Sequence, residues 1–180
     1  MVEVVFDPQT SATLIRTNVE SFVSDSGITQ YKFITANWMT FERASDPYWY
    51  FPDKIYIEKF DTFFNVEATI KADTAYYYDR RSLMKLIGNV DITNVEGQRF
   101  QTSELFWDRQ KETVYSDSFI RVTDGDKVQM GIGFTSNQNL TVYTIFNPSA
   151  EIPVEMQRHT LASDSISSDS LATNARMNTN

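Results

Sequence analysis

Few residues of this chain could do chemistry by themselves. The single histidine, His159, stands in a polar stretch near the C-terminus, so no Ser-His-Asp or Cys-His arrangement can form around it within a folded core. Cysteine is absent, which removes disulfides, thiolate nucleophiles and cysteine metal sites. Acids are plentiful, and a pair such as Asp73 and Asp117 could serve a glycosidase, whose reaction needs two carboxylates. Both fall on the wet side of alternating segments and read as a solvated sheet face. Gly131-Ile132-Gly133 resembles part of a phosphate-cradling loop. It lies inside a strand pattern with no helix after it, and reads as a bulge or the close approach of another backbone. The densest aromatic run, Pro47-Tyr48-Trp49-Tyr50-Phe51-Pro52, could stack a sugar or a base, but a core plug between two prolines is the preferred reading. The expectation is a protein that works by binding and not by catalysis, with no metal and no cofactor.

The elements that must position any binding surface are strands. Hydrophobic residues make up 41% of the 180, and Phe (13) and Tyr (9) far outnumber Trp (3), the balance of one sheet-rich domain. A net charge of -8 excludes nucleic acid held through its phosphates, which requires clustered Lys and Arg. No apolar run approaches the ~18 residues of a membrane span. Val66, Ala68, Ile70, Ala72 and Thr74 alternate with Glu67, Thr69, Lys71 and Asp73, the period-two pattern of a strand with one dry face. The same pattern recurs at Leu86, Gly88, Val90 and Ile92, at Val114, Ser116, Ser118, Ile120 and Val122, and at Val128, Met130, Ile132 and Phe134. Asp25-Ser26-Gly27, Glu96-Gly97 and Asp124-Gly125 supply the chemistry of tight hairpins between such strands. The reading divides the chain into an N-terminal arm (1–12), an antiparallel all-β domain (13–153) and a disordered polar tail (154–180).

A looser repeat of roughly thirty residues runs through the domain. Ile34-Thr35-Ala36 leads to Phe41-Glu42-Arg43, Ile70-Lys71-Ala72 to Tyr78-Asp79-Arg80, and Phe100-Gln101-Thr102 to Trp107-Asp108-Arg109. Each copy reads as a strand with a small inward position that ends in an acid-capped turn.

Taken in order, several stretches resemble the LptC family, the inner-membrane-anchored periplasmic component of the lipopolysaccharide-export transporter, and its Bacteroidetes-type members in particular. They are Ser24-Asp25-Ser26-Gly27-Ile28-Thr29-Gln30-Tyr31, the aromatic run 47–52 with Glu58-Lys59-Phe60-Asp61, and Lys71-Ala72-Asp73-Thr74-Ala75-Tyr76. Leu86-Ile87-Gly88-Asn89-Val90, Tyr115-Ser116-Asp117, Gly131-Ile132-Gly133-Phe134 and Ser136-Asn137-Gln138 follow, so that the resemblance covers roughly 19–153. It implies a twisted antiparallel β-jellyroll of the LptC/LptA (OstA-like) type. Its function would be that of a scaffold that accepts the acyl chains of lipid A from an inner-membrane ABC transporter and passes them to an LptA-like periplasmic bridge protein. It further implies a periplasmic location, with an inner-membrane anchor in a segment missing from this chain. The alternative is a structural or carbohydrate-binding β-sandwich without a transport role, motivated by Trp49.

On the transport reading, the inward alternation supplies the lining of a lipid groove: Ile34, Ala36, Trp38, Ile57, Ile70, Ala72, Val90, Ile92, Phe100, Thr102, Ile120, Ile132 and Phe134. Ala36, Ala72, Thr102 and Gly88 would keep it open by being small. Strand edges would dock partners, with the strand 140–146 facing the bridge protein and the region 13–23 facing the membrane complex.

Overall fold

The computed structural model describes Asp7 and residues 10–149. The expected tail, His159 and most of the expected arm lie outside these residues. One antiparallel sheet contains twelve strands. They are β1 (Leu14–Asp25), β2 (Ile28–Phe41), β3 (Tyr48–Phe51), β4 (Ile55–Phe60), β5 (Val66–Ala72) and β6 (Thr74–Tyr78), followed by β7 (Leu83–Asn94), β8 (Arg99–Asp108), β9 (Thr113–Asp124), β10 (Lys127–Asn137), β11 (Tyr143–Ile145) and β12 (Pro148–Ser149). Because β3 with β4, β5 with β6, and β11 with β12 are interrupted strands lying against the same neighbours, the topology is an up-and-down meander. The first hairpin turns through Ser26 and Gly27, both at positive φ (52° and 82°), the conformation that matches strand twist in a two-residue turn. Among the described residues β1 pairs only with β2, and β11 and β12 only with β10. The sheet is a jellyroll with two free edges.

A crease crosses the whole sheet and folds it into two facing halves. It passes Asn18 (φ 51°) in β1, the β3–β4 break with Lys54 (φ 44°), the β5–β6 break at Asp73, Gly88 and Asn89 (φ 77° and 44°) in β7, and Gly133 (φ 89°) in β10. Pairing slips between Ile87 and Val90, between Thr102 and Phe106, and between Ile132 and Phe134. A bulge adds an unpaired residue and bends its strand, and bulges aligned across neighbours bend the sheet. Backbone groups released by the bend find other partners. The Asp73 N–H donates to the Gly88 carbonyl (2.9 Å) and the Lys54 N–H to the Asp73 carbonyl (2.7 Å). Thr102 Oγ1 donates to the Phe119 carbonyl (2.7 Å) and Ser116 Oγ to the Glu104 carbonyl (2.6 Å). Asn37 and Asn89 donate side-chain amides to Asp53 and Asp73, each at 2.6 Å. A buried carbonyl left unmet costs about 1–3 kcal/mol, so these hydroxyls and amides are what allow the fold line to exist.

One half-sheet holds 28–35 of β2, β4, β5, 90–94 of β7, 99–102 of β8, 120–124 of β9 and 127–132 of β10. The other holds 38–41, β3, β6, 83–87, 105–108, 113–116 and 134–137. Their inner faces meet in one apolar core in which Phe51, Ile57, Leu86, Phe100, Ile120 and Phe134 are fully buried.

The crease corrects three inward assignments. Ile34 (38% exposed) and Ala36 face outward, because β2 buries Phe33 and Thr35 before the crease and Trp38 and Thr40 after it. Ile132 (56% exposed) also faces outward, opposite Phe119, while the bulge at Gly133 returns Phe134 to the core. An extra residue moves every later side chain to the other face. Thr102 and Gly88 are small for a different reason from the one expected. Thr102 supplies a hydroxyl to the crease, and Gly88 lies under Asp73, whose Oδ2 would sit 2.7 Å from an added Cβ.

Both readings of Gly131-Ile132-Gly133 hold, since Gly133 forms the bulge and Gly131 admits a neighbouring backbone. An added Cβ at Gly131 would lie 2.4 Å from Ile145 Cγ2 and 2.6 Å from the Phe146 carbonyl oxygen. Gly131→Ala is expected to cost about 1–3 kcal/mol, as overpacking against backbone does, and to lift β11 and β12 off β10. Hydrogen exchange would show faster exchange at the Phe146 amide, which is bonded to the Gly133 carbonyl, with β1–β2 amides unchanged.

Candidate functional site

Where the two half-sheets diverge, away from the crease, a cleft of about 620 Å³ opens between them. Val23, Tyr31, Phe33 and Ile57 line one wall, and Trp49, Tyr77, Met84 and Trp107 the other. Alternation explains this wall. Trp49 and Phe51 turn inward from β3 while Tyr48 and Tyr50 turn outward, so the aromatic run is a core plug on one face only. Trp49 packs at a tilt against Trp38 (4.8 Å) and Tyr77 (5.0 Å), and Tyr31 meets Trp107 edge-on across the cleft (5.4 Å).

Two polar links tie the halves at this mouth. Arg109 Nη2 donates to Gln30 Oε1 (3.2 Å), its Nη1 to the Tyr77 hydroxyl (3.4 Å), and the guanidinium lies 5.1 Å from the Tyr31 ring centre. Burial raises the Tyr31 phenol above its ordinary pKa, against the pull of Arg109, which keeps the ring neutral and its face available to the cation. The second link is the turn 137–142. Lys59 Nζ donates to Asn139 Oδ1 (2.6 Å) and pairs with Glu67, and Asn94 Nδ2 donates to the Leu140 carbonyl (3.0 Å). Leu140 is 3% exposed although it sits in a turn, at φ 59°. Its side chain reaches in beside Ile70, Leu86, Ile92, Leu105 and Trp107, where only about 10 Å³ is left empty. That is about the least that one water needs. Left-handed backbone on a β-unbranched leucine costs about 1 kcal/mol, offset by burial of the side chain.

The expected lining residues therefore divide. Ile57 reaches the cleft, and Ile70 and Ile92 border the small void behind Leu140. Trp38, Ala72, Val90, Phe100, Thr102, Ile120 and Phe134 pack within the core, and Ile34 and Ala36 border a separate outer hollow beside Asp53 and Lys54. Sequence reasoning missed Tyr31, Met84, Trp107, Arg109 and Leu140 as site residues. The ordered repeat pointed at Trp107 and Arg109 but gave them only the role of a turn. The sequence reading put Leu140 at the start of an edge strand, 140–146, but that strand is confined to Tyr143–Ile145 and Leu140 belongs to the turn before it. Trp38 and Trp107 each bury an indole N–H with no hydrogen-bond partner among the described residues.

In those residues no group of His, Cys, Asp or Glu is placed to hold a metal ion, and no helix is long and apolar enough to cross a membrane. The suggested carboxylate pair does not assemble a site, since Asp73 is engaged by Asn89 at the crease. A family model described as lipopolysaccharide-assembly, LptC-related, matches residues 7–148. No curated protein matches the chain significantly.

Proposed function

The chain belongs to the LptC-related family of lipopolysaccharide-assembly proteins, with the role in lipopolysaccharide transport that the family carries, and from this premise we propose that its two half-sheets form a clamp for acyl chains. The observation that carries the proposal is the cleft between the halves of an unclosed sheet, whose aromatic and aliphatic walls are rimmed by polar residues such as Asp25, Gln30, Asp79, Arg109 and Glu112. Each methylene taken from water contributes about 0.8 kcal/mol, so a wall of Tyr31, Phe33, Trp49, Met84 and Trp107 offsets much of the cost of drawing a chain out of a membrane. At roughly 30 Å³ per methylene, close to the share of a water molecule, the cleft holds about twenty methylenes. That is one or two chains; a lipid A with more requires the halves to part.

Parting is the step for which the mouth is built. Acyl chains enter beside Met84 and Trp107, Arg109 releases Gln30, and the turn carrying Leu140 withdraws so that Ile70 and Ile92 become lining. The orphan indole N–H of Trp107 gives an ester or amide carbonyl of the lipid a donor to meet. Nothing in this sequence of events breaks a covalent bond, and the protein acts as a scaffold and not as an enzyme. Lipid would come from an inner-membrane ABC transporter and leave to an LptA-like bridge protein in the periplasm. The free edges support docking by strand addition, with β1 toward the membrane complex and β11–β12 toward the bridge. The β-sandwich alternative loses its motive, because the Trp49 ring is turned inward.

Trp38→Phe with Trp49→Phe leaves Trp107 as the only indole. Lipid carrying a spin-labelled acyl chain should quench its emission saturably. Saturable lipid binding with undiminished Trp107 emission would place the chains elsewhere.

A further inference from the structure

Behind the crease, on the outer face of the sheet, lies a hollow of about 870 Å³ that shares no residue with the cleft. It exists because two strand breaks fall side by side. β3 stops at Phe51 and β4 starts at Ile55, while β5 stops at Ala72 and β6 starts at Thr74, so residues 52–54 and 73 leave the sheet with a gap. Pro52 has no N–H to offer a neighbour, and Lys54 closes the bend at φ 44° by donating its N–H to the Asp73 carbonyl (2.7 Å). The buried pair Ile55 and Ala72 forms the floor. Ile34, Tyr56 and Lys71 stand on the half-sheet of β4 and β5, whereas Pro52 and Thr74 adjoin β3 and β6 of the other half. The hollow straddles the fold line.

Four charged side chains border it, and they are not equivalent. Both carboxylates are engaged, Asp53 by the Asn37 amide and Asp73 by the Asn89 amide, each at 2.6 Å. The Lys54 and Lys71 ammonium groups meet no carboxylate at ion-pair distance among the described residues. Asp91, opposite Lys71 in the register, is taken by Arg99 (2.8 Å), and the Lys71 ammonium lies 6.0 Å from the Tyr56 ring centre. A ligand that suits these walls carries a negative group for the two lysines and an apolar body for Ile34, Ala36, Pro52 and Tyr56.

Position gives the hollow a mechanical property as well. Cleft and hollow lie on opposite sides of one fold line, so a rotation that parts the inner faces brings the outer faces together. Opening the clamp shrinks the hollow, and a body that fills the hollow resists opening. Such a ligand binds the closed state better than the open one, which is the condition for shifting the balance between them.

We propose that the outer hollow is a regulatory pocket for a compact organic anion with an apolar body, and that its occupant holds the half-sheets closed. The regulatory effect rests on the acyl-clamp reading; the pocket itself does not. Linkage makes the effect reciprocal, so lipid that parts the halves expels the anion.

Two measurements test it. In the first, 4-nitrobenzoate is added to isotopically labelled wild-type protein. The Ile34 and Ile55 methyl resonances should shift saturably at about millimolar concentration while the Met84 methyl stays in place; silence of both isoleucines up to about 10 mM overturns the pocket. In the second, Ala36→Cys supplies a thiol at an exposed position in a chain with no cysteine of its own, and a mixed disulfide with 2-nitro-5-thiobenzoate tethers an aromatic carboxylate in the hollow. The adduct should lower affinity for multi-chain lipid about tenfold, and its reduction should restore the affinity. Adding Lys54→Gln and Lys71→Gln should cut the loss to about twofold. The same adduct at Thr123→Cys, outward on β9, should leave lipid affinity unchanged. If unmodified Ala36→Cys binds lipid and the adduct changes nothing, the hollow does not control the clamp. Absence of acyl-chain quenching of Trp107 would instead count against the acyl reading, and the methyl shifts would still decide the pocket.

Discussion

Tying Gln30 to Arg109 across the mouth abolishes uptake of multi-chain lipid. The native sequence has no cysteine, so Gln30→Cys with Arg109→Cys introduces the only two thiols, and a short bis-maleimide with a reducible linker joins them. The native side chains already touch at 3.2 Å, so the linker is accommodated without rearranging the closed state. The cleft behind it keeps its volume, but the halves cannot part. If several chains are held only in the parted state, locking the closed one removes nearly all of their binding free energy. An affinity loss of at least about a hundredfold follows from the population shift alone. The unlinked variant lacks the Arg109 link and should bind at least as tightly as wild type; reducing the linker should restore that level. Undiminished lipid binding by the linked protein would mean that the halves do not need to separate.

Shortening the plug should have the opposite sign for lipid and for stability. Leu140→Ala removes a side chain that is 3% exposed and is expected to lower unfolding stability by about 2–4 kcal/mol, as large-to-small changes in cores do. The space it vacates lies beside Ile70, Ile92 and Trp107, where a chain end can enter without first expelling leucine. Acyl affinity should therefore rise about tenfold, the gain from not having to undo ~1.4 kcal/mol of burial, and the bound protein should recover part of its lost stability by linkage. Ile120→Ala is the control. Ile120 is equally buried but pairs with Thr102 beside the crease, so it should lose comparable stability and gain no lipid affinity. Equal gains from both variants would indicate a generally loosened core and no plug.

Much of the sheet was legible because β-strands announce their dry faces. The alternation at Val114, Ser116, Ile120 and Val122 survives the crease intact, as does that of Leu86, Val90 and Ile92. In β2, β5–β6, β8 and β10 the inward phase slips instead, from Thr35 to Trp38, from Ala72 to Ala75, from Thr102 to Leu105 and from Gly131 to Phe134. Period-two reasoning carried straight across such a slip puts Ile34, Ala36 and Ile132 on the wrong face, and a bulge away from glycine leaves no mark in the sequence. The thirty-residue repeat had a structural basis beyond the acid-capped turn in which each copy was read to end. Its three copies fall on β2, β5–β6 and β8, which all run toward the mouth, and each ends in an aromatic, an acid and an arginine at the rim. Arg109 is the copy that spans the cleft. The aromatic run 47–52 was read preferentially as a core plug, and strand geometry limits that role to one face, since Trp49 and Phe51 face the core and Tyr48 and Tyr50 face outward. The mouth residues were least legible, because Tyr31, Met84 and Leu140 come from distant positions and acquire their role only when the sheet folds back on itself.

The direct test of the clamp is site-specific photocrosslinking to lipid A. A photoreactive residue at Val23 or Met84, on the two walls of the cleft, should capture lipid, while one at Ile34 or Ile132, apolar but outward-facing, should not. Capture of equal yield from Ile132 and Met84 would contradict binding between the half-sheets.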